Sequence, residues 1–390
     1  MKNLVVNAGS SSLKFQVFDE ENSIISGLIE EIGSERSKIK LKENGEKSES
    51  TQSIQNHKEA FSKVLEILKE RNLLDEIQFV SHRIIHGGEK FKESVLIDDD
   101  AVKEMEKLID LAPLHYGPHL EGVKIMRELL PKAKHFGIFD TAYHSTMPEA
   151  SYLYAVPYEW YKKYGVRKYG FHGTSHKYVV GKTVELIKKE NSKVISCHLG
   201  NGASICAAVD GKSFCTSMGL TPLEGLMMGT RSGSLDPAII KYISEKENLS
   251  IKEVDNILNK KSGLLGVSEI SSDMREIEKG LLENSPGAKR AFNLFCHKLI
   301  EQIGAYITVI GGVDAIVFTG GIGEKGFLVR EFVANHLKFL GLEIDEEKNN
   351  SNFVGEISKE NSKVKIYVIP TNEELQMTLD AKELLKKLNS

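Results

Sequence analysis

The distribution of apolar and polar residues along the chain predicts a mixture of strands and helices. Residues 4–6 and 13–18 are two apolar runs joined by NAGSSS, a turn of small polar residues, and this pattern is typical of a β-hairpin. Residues 57–71 carry apolar side chains at helical spacing. The text FVSHRIIHGG, which starts at Phe79, indicates a strand that runs into a glycine turn. The chain therefore opens as an α/β protein.

Two further helices are predicted from apolar spacing. Val102, Met105 and Ile109 share one face of an amphipathic helix, which we expect Pro113 to end. Residues 288–310 predict a second, longer amphipathic helix.

The end of the chain combines a strand and a helix. DAIVFTGGIGEKG predicts a buried strand that ends in a glycine turn, and TNEELQMTLDAKELLKKL predicts a helix. Thr371 and Glu374 have the spacing of a capping box at the start of that helix.

The second half of the chain repeats the opening. VISCHLGNGASICAAV, residues 194–209, is again a strand, a small polar turn and a strand, and aligning Gly9 with Gly200 places Asp19 opposite Asp210 without a gap. Such repetition predicts a duplication, and 390 residues are more than a single core usually holds. The segment after Asp140 is rich in aromatic residues, contains proline and lacks a helical period. It predicts the boundary between two domains.

Composition excludes several classes of protein. Apolar content of 41% and charged content of 27% are those of a globular protein. A formal net charge of -4 argues against a nucleic-acid binder held by general positive charge. The four cysteines show no zinc-ligand spacing and are too few for a disulfide framework. Neither the N-terminus nor the interrupted apolar stretch 303–313 has the pattern of a signal peptide or a membrane span, so we expect a cytoplasmic protein.

Three glycine-rich turns are candidates for phosphate binding. TGGIGEKG, residues 319–326, and HLGNG, residues 198–202, both follow predicted strands, as NAGSSS does near the N-terminus. Their backbone N–H groups can approach phosphate closely, although none has the spacing of a Walker loop. The rival interpretation is a set of simple tight turns.

Cationic residues stand beside these turns. Arg83 precedes Gly87 and Gly88, Arg231 lies in MGTRSG, and His172 adjoins a Gly-Thr-Ser turn. A guanidinium offers a planar fork of donors to carboxylate or phosphoryl oxygens. A solvated surface arginine and a structural histidine are the alternatives.

Carboxylates complete the candidate chemistry. Asp140 in FDTAYH and Glu373 in the last helix could orient a group or hold Mg²⁺, which prefers few carboxylates together with phosphate oxygens. Glu373 could equally be a favourable charge at a helix N-terminus. Asp273 and Arg275 could simply cap a helix.

Ten motifs together resemble the acetate kinase family. In order they are NAGSSSLKF, HRIIHGG, APLH, FDTAYH, YGFHGTSH, HLGNGAS, TSMGLTPLEGLMMGTRSG, LLGVSEISSDMR, FTGGIGE and IPTNEE, and they span the chain from Asn7 to Glu374. The resemblance implies two related ribonuclease-H-like (actin-like ATPase) domains, with mixed sheets flanked by helices and a nucleotide cleft between them. It also implies a first domain of residues 1–145 completed by a C-terminal helix at 376–390, a second nucleotide-binding domain of residues 146–375, and a homodimer formed through that second domain.

The same resemblance implies an ATP:acetate phosphotransferase that uses Mg²⁺, with Mn²⁺ as an alternative, and that forms acetyl phosphate and ADP reversibly. Asp140 would act near the reacting group, His172 and Arg231 would stabilise the moving phosphoryl, and Arg83 would hold the carboxylate. Asn7 and Glu373 would serve the metal. The acetate methyl would lie among Ile85, Leu114, Phe171 and Pro222. The nucleotide would be held by Lys14, His198, Leu199, Gly200, Asn201, Gly202, Asp273, Met274, Arg275, Gly320, Gly321, Ile322, Gly323 and Glu324.

Elementary chemistry is consistent with these roles. A carboxylic acid with a pKa near 4–5 is already ionised at neutral pH, so the nucleophile needs no general base. It needs neutralisation of charge, which arginines, a histidine and a metal supply. We therefore expect Asp140 to orient Arg83 or a metal-bound water rather than to abstract a proton.

Alternative functions remain at this point. Ile85 stands where the family usually has valine, and Tyr116-Gly117 replaces Asn-Pro, so a propionate or butyrate kinase of the same family is one alternative. A nucleotide-driven clamp of the chaperone or actin type is another, but it has no use for a carboxylate-binding arginine beside an apolar pocket. The acid dependence of ATP turnover separates these functions.

Overall fold

Two mixed β-sheets with flanking helices organise the chain in the computed structural model, which describes residues 1–351 and 353–389 apart from the side chains at 113–115. One compact unit is Met1–Ser145 together with the segment from Asn372 onward, and the other is Thr146–Thr371. Every helix within the described residues is too short or too polar to span a bilayer.

The strands, in chain order, are β1 (Lys2–Ala8), β2 (Ser12–Asp19), β3 (Asn22–Glu30), β4 (Ser34–Glu43), β5 (Glu46–Ile54), β6 (Ile77–Ile84), β7 (Val95–Leu96), β8 (Lys134–Phe139), β9 (Lys193–Leu199), β10 (Ala203–Val209), β11 (Lys212–Thr216), β12 (Ala315–Thr319), β13 (Gly355–Glu356) and β14 (Lys365–Val368).

The helices are α1 (His57–Glu70), α2 (Asp99–Glu106), α3 (Pro113–Leu129), α4 (Glu149–Tyr152), α5 (Tyr158–Tyr164), α6 (Gly173–Ile187), α7 (Ala238–Glu247), α8 (Ile251–Lys260), α9 (Gly263–Ser268), α10 (Met274–Leu282), α11 (Pro286–Val309), α12 (Gly320–Lys325), α13 (Phe327–His336), α14 (Glu346–Asn350) and α15 (Glu373–Asn389).

The sheet of the first unit has the strand order β5-β4-β3-β2-β1-β6-β8-β7. Strands β1 to β5 form a meander of antiparallel pairs, whereas β6 joins β1 and β8 joins β6 in parallel. Parallel neighbours end at the same edge of a sheet. Residues that follow β6 and β8 are therefore brought together.

Alternation along β1 divides the core of the first unit between two faces of the sheet. Leu4 and Val6 belong to a cluster that includes Phe61 of α1, while Val5 belongs to a second cluster with Met377 of α15. Asn3 Nδ2 also donates to Thr378 Oγ1 of α15 at 2.8 Å. The last helix of the chain thus packs on the first sheet, which fixes the position of residues at its N-terminus.

The sheet of the second unit has the order β11-β10-β9-β12-β14-β13. Its strands β11, β10 and β9 are antiparallel, and β12 and β14 then continue in parallel. The series β3-β2-β1-β6-β8 of the first unit has the same directions. The repeated text around NAGSSS and HLGNG therefore corresponds to equivalent hairpins, β1–β2 and β9–β10.

The prediction that Pro113 ends a helix is wrong. Helix α2 ends at Glu106, Ile109 lies in a separate 3₁₀ turn, and Pro113 is the first residue of α3. Proline suits this position because its fixed φ is helical and its missing N–H would have had no partner in the first turn.

The predicted capping box at Thr371 and Glu374 is also wrong. Asn372 Oδ1 accepts a hydrogen bond from the Leu375 N–H at 3.0 Å and so caps α15. The buried Thr371 Oγ1 has no hydrogen-bond partner among the described residues. Helix α15 consequently begins at Glu373, ahead of residue 376.

Candidate active site

Arg83 and Asp140 form a bidentate ion pair at one edge of the first sheet. Arg83 lies one residue before the end of β6, and Asp140 directly follows β8, the parallel neighbour of β6. Arg83 Nη2 donates to Asp140 Oδ2 at 2.8 Å and Arg83 Nε donates to Oδ1 at 3.1 Å. Asp140 is 1% exposed, and its charge raises the pKa of Arg83. The guanidinium is thus held in one orientation and stays charged.

Carboxylates at the start of α15 lie near the basic residues of the same unit. Glu373 Oε2 is 3.9 Å from Arg83 Nη2, and Glu374 forms an ion pair with Lys14. Lys14 on β2 is the register partner of Asn7 on β1. These contacts connect the predicted metal and nucleotide residues of this unit to the Arg83–Asp140 pair.

Glu374 is a member of this cluster for which the sequence predicted only a helix-capping role. It stands beside Glu373 in IPTNEE. Its ion pair holds the Lys14 ammonium over the N-terminal turn of α15.

In the second unit, His172 and Arg231 approach the same glycine. A β-carbon built on Gly202 would lie 3.4 Å from His172 Nε2 and 3.5 Å from Arg231 Nη1. His172 precedes α6 with a φ of 55°, a left-handed conformation that is uncommon for a residue with a side chain. Its ring stacks on that of His198 with centroids 4.2 Å apart. The absence of a side chain at Gly202 leaves room beside both the imidazole and the guanidinium.

Arg231 differs from Arg83 because its charge is not compensated. Its Nη1 donates to the Pro222 carbonyl at 3.0 Å and lies 3.6 Å from Met228 Sδ. No carboxylate in the described part of the chain lies within ion-pair distance of it, and burial lowers its pKa. A partly buried cation without a counter-ion is costly for folding and is therefore a candidate for binding an anion.

The four residues predicted to surround the acetate methyl are divided between the units. Ile85 belongs to the first unit, where its N–H donates to His119 Nδ1 at 3.1 Å. Phe171, which is 2% exposed, and Pro222 belong to the second unit. The fourth predicted residue, Leu114, has its side chain outside the described residues.

Two glycines of the second unit lie in close contact with the HLGNG turn. Gly320 has a φ of 77°, and a β-carbon there would lie 2.7 Å from the Leu199 carbonyl oxygen. A β-carbon on Gly229 would lie 1.9 Å from Asn201 Oδ1. The HLGNG turn therefore packs directly on both the GGIGE turn and the MGTRSG turn.

A cavity of about 470 Å³ joins three of the predicted nucleotide segments. It is lined by the HLGNG turn, the start of α10 and helix α12. Four lining residues, Ser272, Glu278, Lys325 and Gly326, were not among the predicted nucleotide-binding residues, and of these only Glu278 lies outside the motifs quoted above. The lining residues are Gly200, Asn201, Ser272, Asp273, Met274, Arg275, Glu278, Gly321, Ile322, Lys325 and Gly326.

Some predicted nucleotide residues of the second unit lie outside the lining of this cavity, and Asp273, which lines it, also has a structural role. Asp273 is the N-cap of α10 and accepts from the Arg275 N–H at 2.9 Å, so it has a capping role as well as a place in the wall. Glu324 Oε1 accepts from the Gly320 N–H at 3.1 Å. The others that lie outside the lining are His198, Leu199, Gly202, Gly320 and Gly323.

Arg330 stabilises the GGIGE turn through hydrogen bonds to its backbone, and nothing in its sequence context predicts this. It is 1% exposed, and its Nη1 donates to the carbonyl oxygens of Gly323 and Glu324 at 2.8 and 2.9 Å. Its Nε donates to Asn349 Oδ1 at 2.8 Å. Burial lowers the pKa of Arg330 to about 10, and it also raises the pKa of the cavity carboxyl Glu278.

The chain is similar to known proteins over nearly its whole length. Residues 2–379 match the model of the acetokinase family. An acetate kinase of Thermosipho melanesiensis is 51% identical, with 98% of each chain covered. The crystal structure of Porphyromonas gingivalis acetate kinase is 41% identical, with a TM-score of 0.93, and covers 98% of this chain and 99% of that one. A propionate kinase from Francisella tularensis is also 41% identical with a TM-score of 0.93, covering 97% and 98%.

These similarities agree with the mixed α/β architecture of both sheets, and the predicted fold class is confirmed. The ten motifs are distributed over the same length of chain as the family match. The chain belongs to the acetokinase family.

Proposed function

We propose that this protein transfers the γ-phosphoryl group of ATP reversibly and directly to acetate, giving acetyl phosphate and ADP. Family membership supports the reaction class and the acid. The observation that carries the proposal within the structure is the uncompensated guanidinium of Arg231, which lies with His172 beside a glycine turn. Such a group suits an anion that develops charge during transfer.

Neutralisation of charge is the chief task of the protein in this reaction. Acetate is ionised at neutral pH, and it must approach a polyanionic phosphate. Arg83 would hold the acetate carboxylate, because its guanidinium is oriented and kept charged by Asp140. Asp140 accepts two hydrogen bonds from that guanidinium, which suits a positioning role better than proton abstraction.

His172 and Arg231 would stabilise the phosphoryl group as it moves. Both present nitrogen atoms on the Gly202 side, where no β-carbon intervenes. A supplied arginine is worth a factor of about 10³ to 10⁵ in phosphoryl transfer. We therefore assign most of the catalytic effect of the second unit to Arg231.

The nucleotide would occupy the cavity formed by the HLGNG turn, the start of α10 and helix α12. Its volume of about 470 Å³ is within the range of small-molecule sites. Backbone N–H groups near Gly321, at the start of α12, would face phosphate oxygens, as glycine turns permit.

The residues present fit a magnesium ion. Asn7 offers an amide oxygen, and Glu373 offers a carboxylate. The 3.9 Å between Glu373 Oε2 and Arg83 Nη2 is too long for a hydrogen bond, so this ion pair leaves the carboxylate oxygen able to bind a metal. Mg²⁺ typically takes one or two carboxylates together with substrate phosphates, and Mn²⁺ has similar oxygen preferences. When bound, the ion would supply positive charge to the phosphate oxygens.

Acetate is favoured over propionate as the acid. The relatives at about half identity, among them those of Thermosipho melanesiensis and Clostridium acetobutylicum, are acetate kinases. Ile85 adds one methylene relative to the usual valine, and a difference of that size changes discrimination by only about 1–3 kcal/mol.

Two features of the assembly and location belong to the same proposal. A homodimer rests on the family resemblance. A cytoplasmic location is supported by the four cysteines, all of which are buried and unpaired in the described structure.

A coupled assay of ADP release across acetate, propionate and butyrate tests the proposal. We expect turnover to depend on an added acid and kcat/KM to be highest for acetate. Release of ADP at the same rate without any acid would instead support a nucleotide-driven clamp. A higher kcat/KM for propionate than for acetate would show that propionate, rather than acetate, is the preferred substrate.

A further inference from the structure

A chain of buried hydroxyl and imidazole groups lies behind His172. His172 Nδ1 is 2.9 Å from Ser204 Oγ, and Ser204 Oγ is 2.7 Å from His176 Nε2. The other ring nitrogen of His176, Nδ1, is 2.9 Å from Ser196 Oγ. Ser196, His176 and Ser204 are all fully buried.

Three elements build this chain, so its geometry is fixed by the fold of the second unit. Ser196 lies on β9, Ser204 lies on the antiparallel neighbour β10, and His176 lies in the first turn of α6, directly after His172.

When both rings are neutral, there are two arrangements in which Ser204 donates to one of its histidine neighbours. A neutral imidazole has one N–H and one lone pair, and a hydroxyl has one proton to donate. Ser204 can therefore donate to only one of its two histidine neighbours. If it donates to His172, then His176 donates to it through Nε2–H and accepts from Ser196 at Nδ1.

The two arrangements differ in what His172 presents at its other nitrogen. When Ser204 donates to Nδ1, the proton of His172 is on Nε2. In the reverse arrangement Nε2 carries a lone pair. Nε2 is the nitrogen beside Gly202 and Arg231, where the proposed reaction brings phosphoryl oxygens. A lone pair would repel those oxygens, whereas an N–H would donate to them.

We propose that Ser204 and His176 are positioning residues that hold His172 in its Nε2–H tautomer, so that a neutral imidazole donates a hydrogen bond to the transferring phosphoryl group. The inference rests on the proposed function for the identity of the acceptor. In this arrangement His172 donates as a neutral ring whose tautomer is fixed by its hydrogen bonds, and not as a protonated, freely titrating histidine.

Long-range ¹H–¹⁵N NMR of the full-length protein labelled at histidine reads the tautomer of each ring. We expect Nε2–H on both His172 and His176 in the wild-type protein, with signals assigned from His172→Gln and His176→Gln. An Nδ1–H tautomer on either ring would overturn the inference. The tautomers are read in the wild-type protein, and the two variants serve only to assign its signals.

Ser204→Ala tests the catalytic consequence. We expect kcat to fall about 10- to 100-fold, as for other supporting partners of functional histidines, while KM for ATP and acetate changes by less than about twofold. The matched control is Ser192→Ala, because Ser192 is equally buried and its hydroxyl has no hydrogen-bond partner in the described structure. A wild-type kcat in Ser204→Ala would refute the positioning role.

The two readouts separate this inference from the proposed function. The predicted tautomers in a protein that does not phosphorylate acetate would support the hydrogen-bond chain and contradict the function. Acetate phosphorylation by a protein with the opposite tautomers would support the function and contradict the hydrogen-bond chain.

Discussion

At the scale of single residues, the two proposed catalytic arginines have opposite electrostatic environments. Arg83 is paired with the buried Asp140, whereas Arg231 donates to a carbonyl and has its pKa lowered by burial. A paired arginine contributes to stability as well as to function. An unpaired one detracts from stability, so its presence is better explained by function.

Arg231→Met should therefore separate activity from stability. We expect kcat to fall by about 10³-fold or more, because the charge that faces the phosphoryl group is lost. The melting temperature should stay the same or rise, because a partly buried charge without a counter-ion is replaced by an apolar side chain of similar length. Steady-state kinetics and calorimetry measure the two effects. Arg290→Met, at an exposed position on α11, is the control.

A near-normal kcat in Arg231→Met would refute the assigned role of this residue. A large fall in melting temperature would show that the guanidinium is structural.

Arg83→Ala should lower both stability and acid affinity. It leaves the buried Asp140 carboxylate without its guanidinium, and removal of one partner of such a pair costs roughly 3 kcal/mol. A double-mutant cycle with Asp140→Ala, followed by urea unfolding, isolates this coupling. Additive effects of the two substitutions would show that the pair is not energetically coupled. KM for acetate should rise in Arg83→Ala, and an unchanged KM would contradict carboxylate binding.

At the scale of elements, the site depends on turns whose geometry only glycine satisfies. The strand β12 turns into α12 at Gly320, which has a positive φ and lies against the Leu199 carbonyl. The adjacent Gly321 has nothing within 4 Å of a built β-carbon. The two neighbours therefore provide a matched pair.

Gly320→Ala should destabilise the second unit, whereas Gly321→Ala should not. A residue with a side chain in the left-handed region costs about 1–3 kcal/mol, and the contact with Leu199 adds to this. Alanine at Gly321 lies in a helical turn and should be neutral or slightly stabilising. Chemical denaturation of both variants measures the difference. Equal stability of the two variants would contradict the steric argument.

The strands β6 and β8 are also joined by a buried histidine pair. His82 Nε2 lies 3.0 Å from His135 Nδ1, and His135 Nε2 lies 3.0 Å from the Leu130 carbonyl. Burial lowers the pKa of His82 well below its usual value, with further contributions from His135, Arg127 and His119. Burial also lowers the pKa of His135.

Stability of the first unit should consequently fall in mild acid. The unfolded chain binds protons at these histidines as the pH falls through about 6.5, whereas the folded chain does not, so stability is full above that pH and decreases below it. Between pH 6.5 and 5.5, we expect the wild-type protein to lose about 1 kcal/mol more than His82→Gln. Urea unfolding at each pH checks this, with His297→Gln on the exposed face of α11 as the control. Parallel pH profiles of wild type and His82→Gln would contradict the argument.

At the scale of the whole molecule, the sequence predicted the elements with strong apolar patterns. The hairpins β1–β2 and β9–β10, the helix α1 and the strand β12 have buried runs or clear helical spacing. The strands β3 to β5 were not predicted. β5 is almost entirely polar and exposed, and its position is set by pairing with β4 at the edge of the sheet rather than by its own sequence.

Site residues were predictable where a motif supplied them, but their partners were not. Arg330 and Glu278 lie outside the quoted motifs, and no local pattern marks them. Ser204 stands in HLGNGAS, but its contacts with His172 and His176 join parts of the chain that its local sequence does not reveal. The roles of the motif residues stay predictions. Their grouping into a first-unit cluster around Arg83 and a second-unit cluster around Gly202 follows from strand order, which the sequence does not state.

The measurement that tests the central claim most directly is ³¹P NMR of the reaction of ATP with ¹⁸O-labelled acetate. The account predicts ADP together with acetyl phosphate that carries ¹⁸O at the oxygen bridging the acyl carbon and the phosphorus, because an acetate oxygen attacks the γ-phosphorus and ADP leaves. Formation of ADP and inorganic phosphate, without labelled acetyl phosphate, would contradict it.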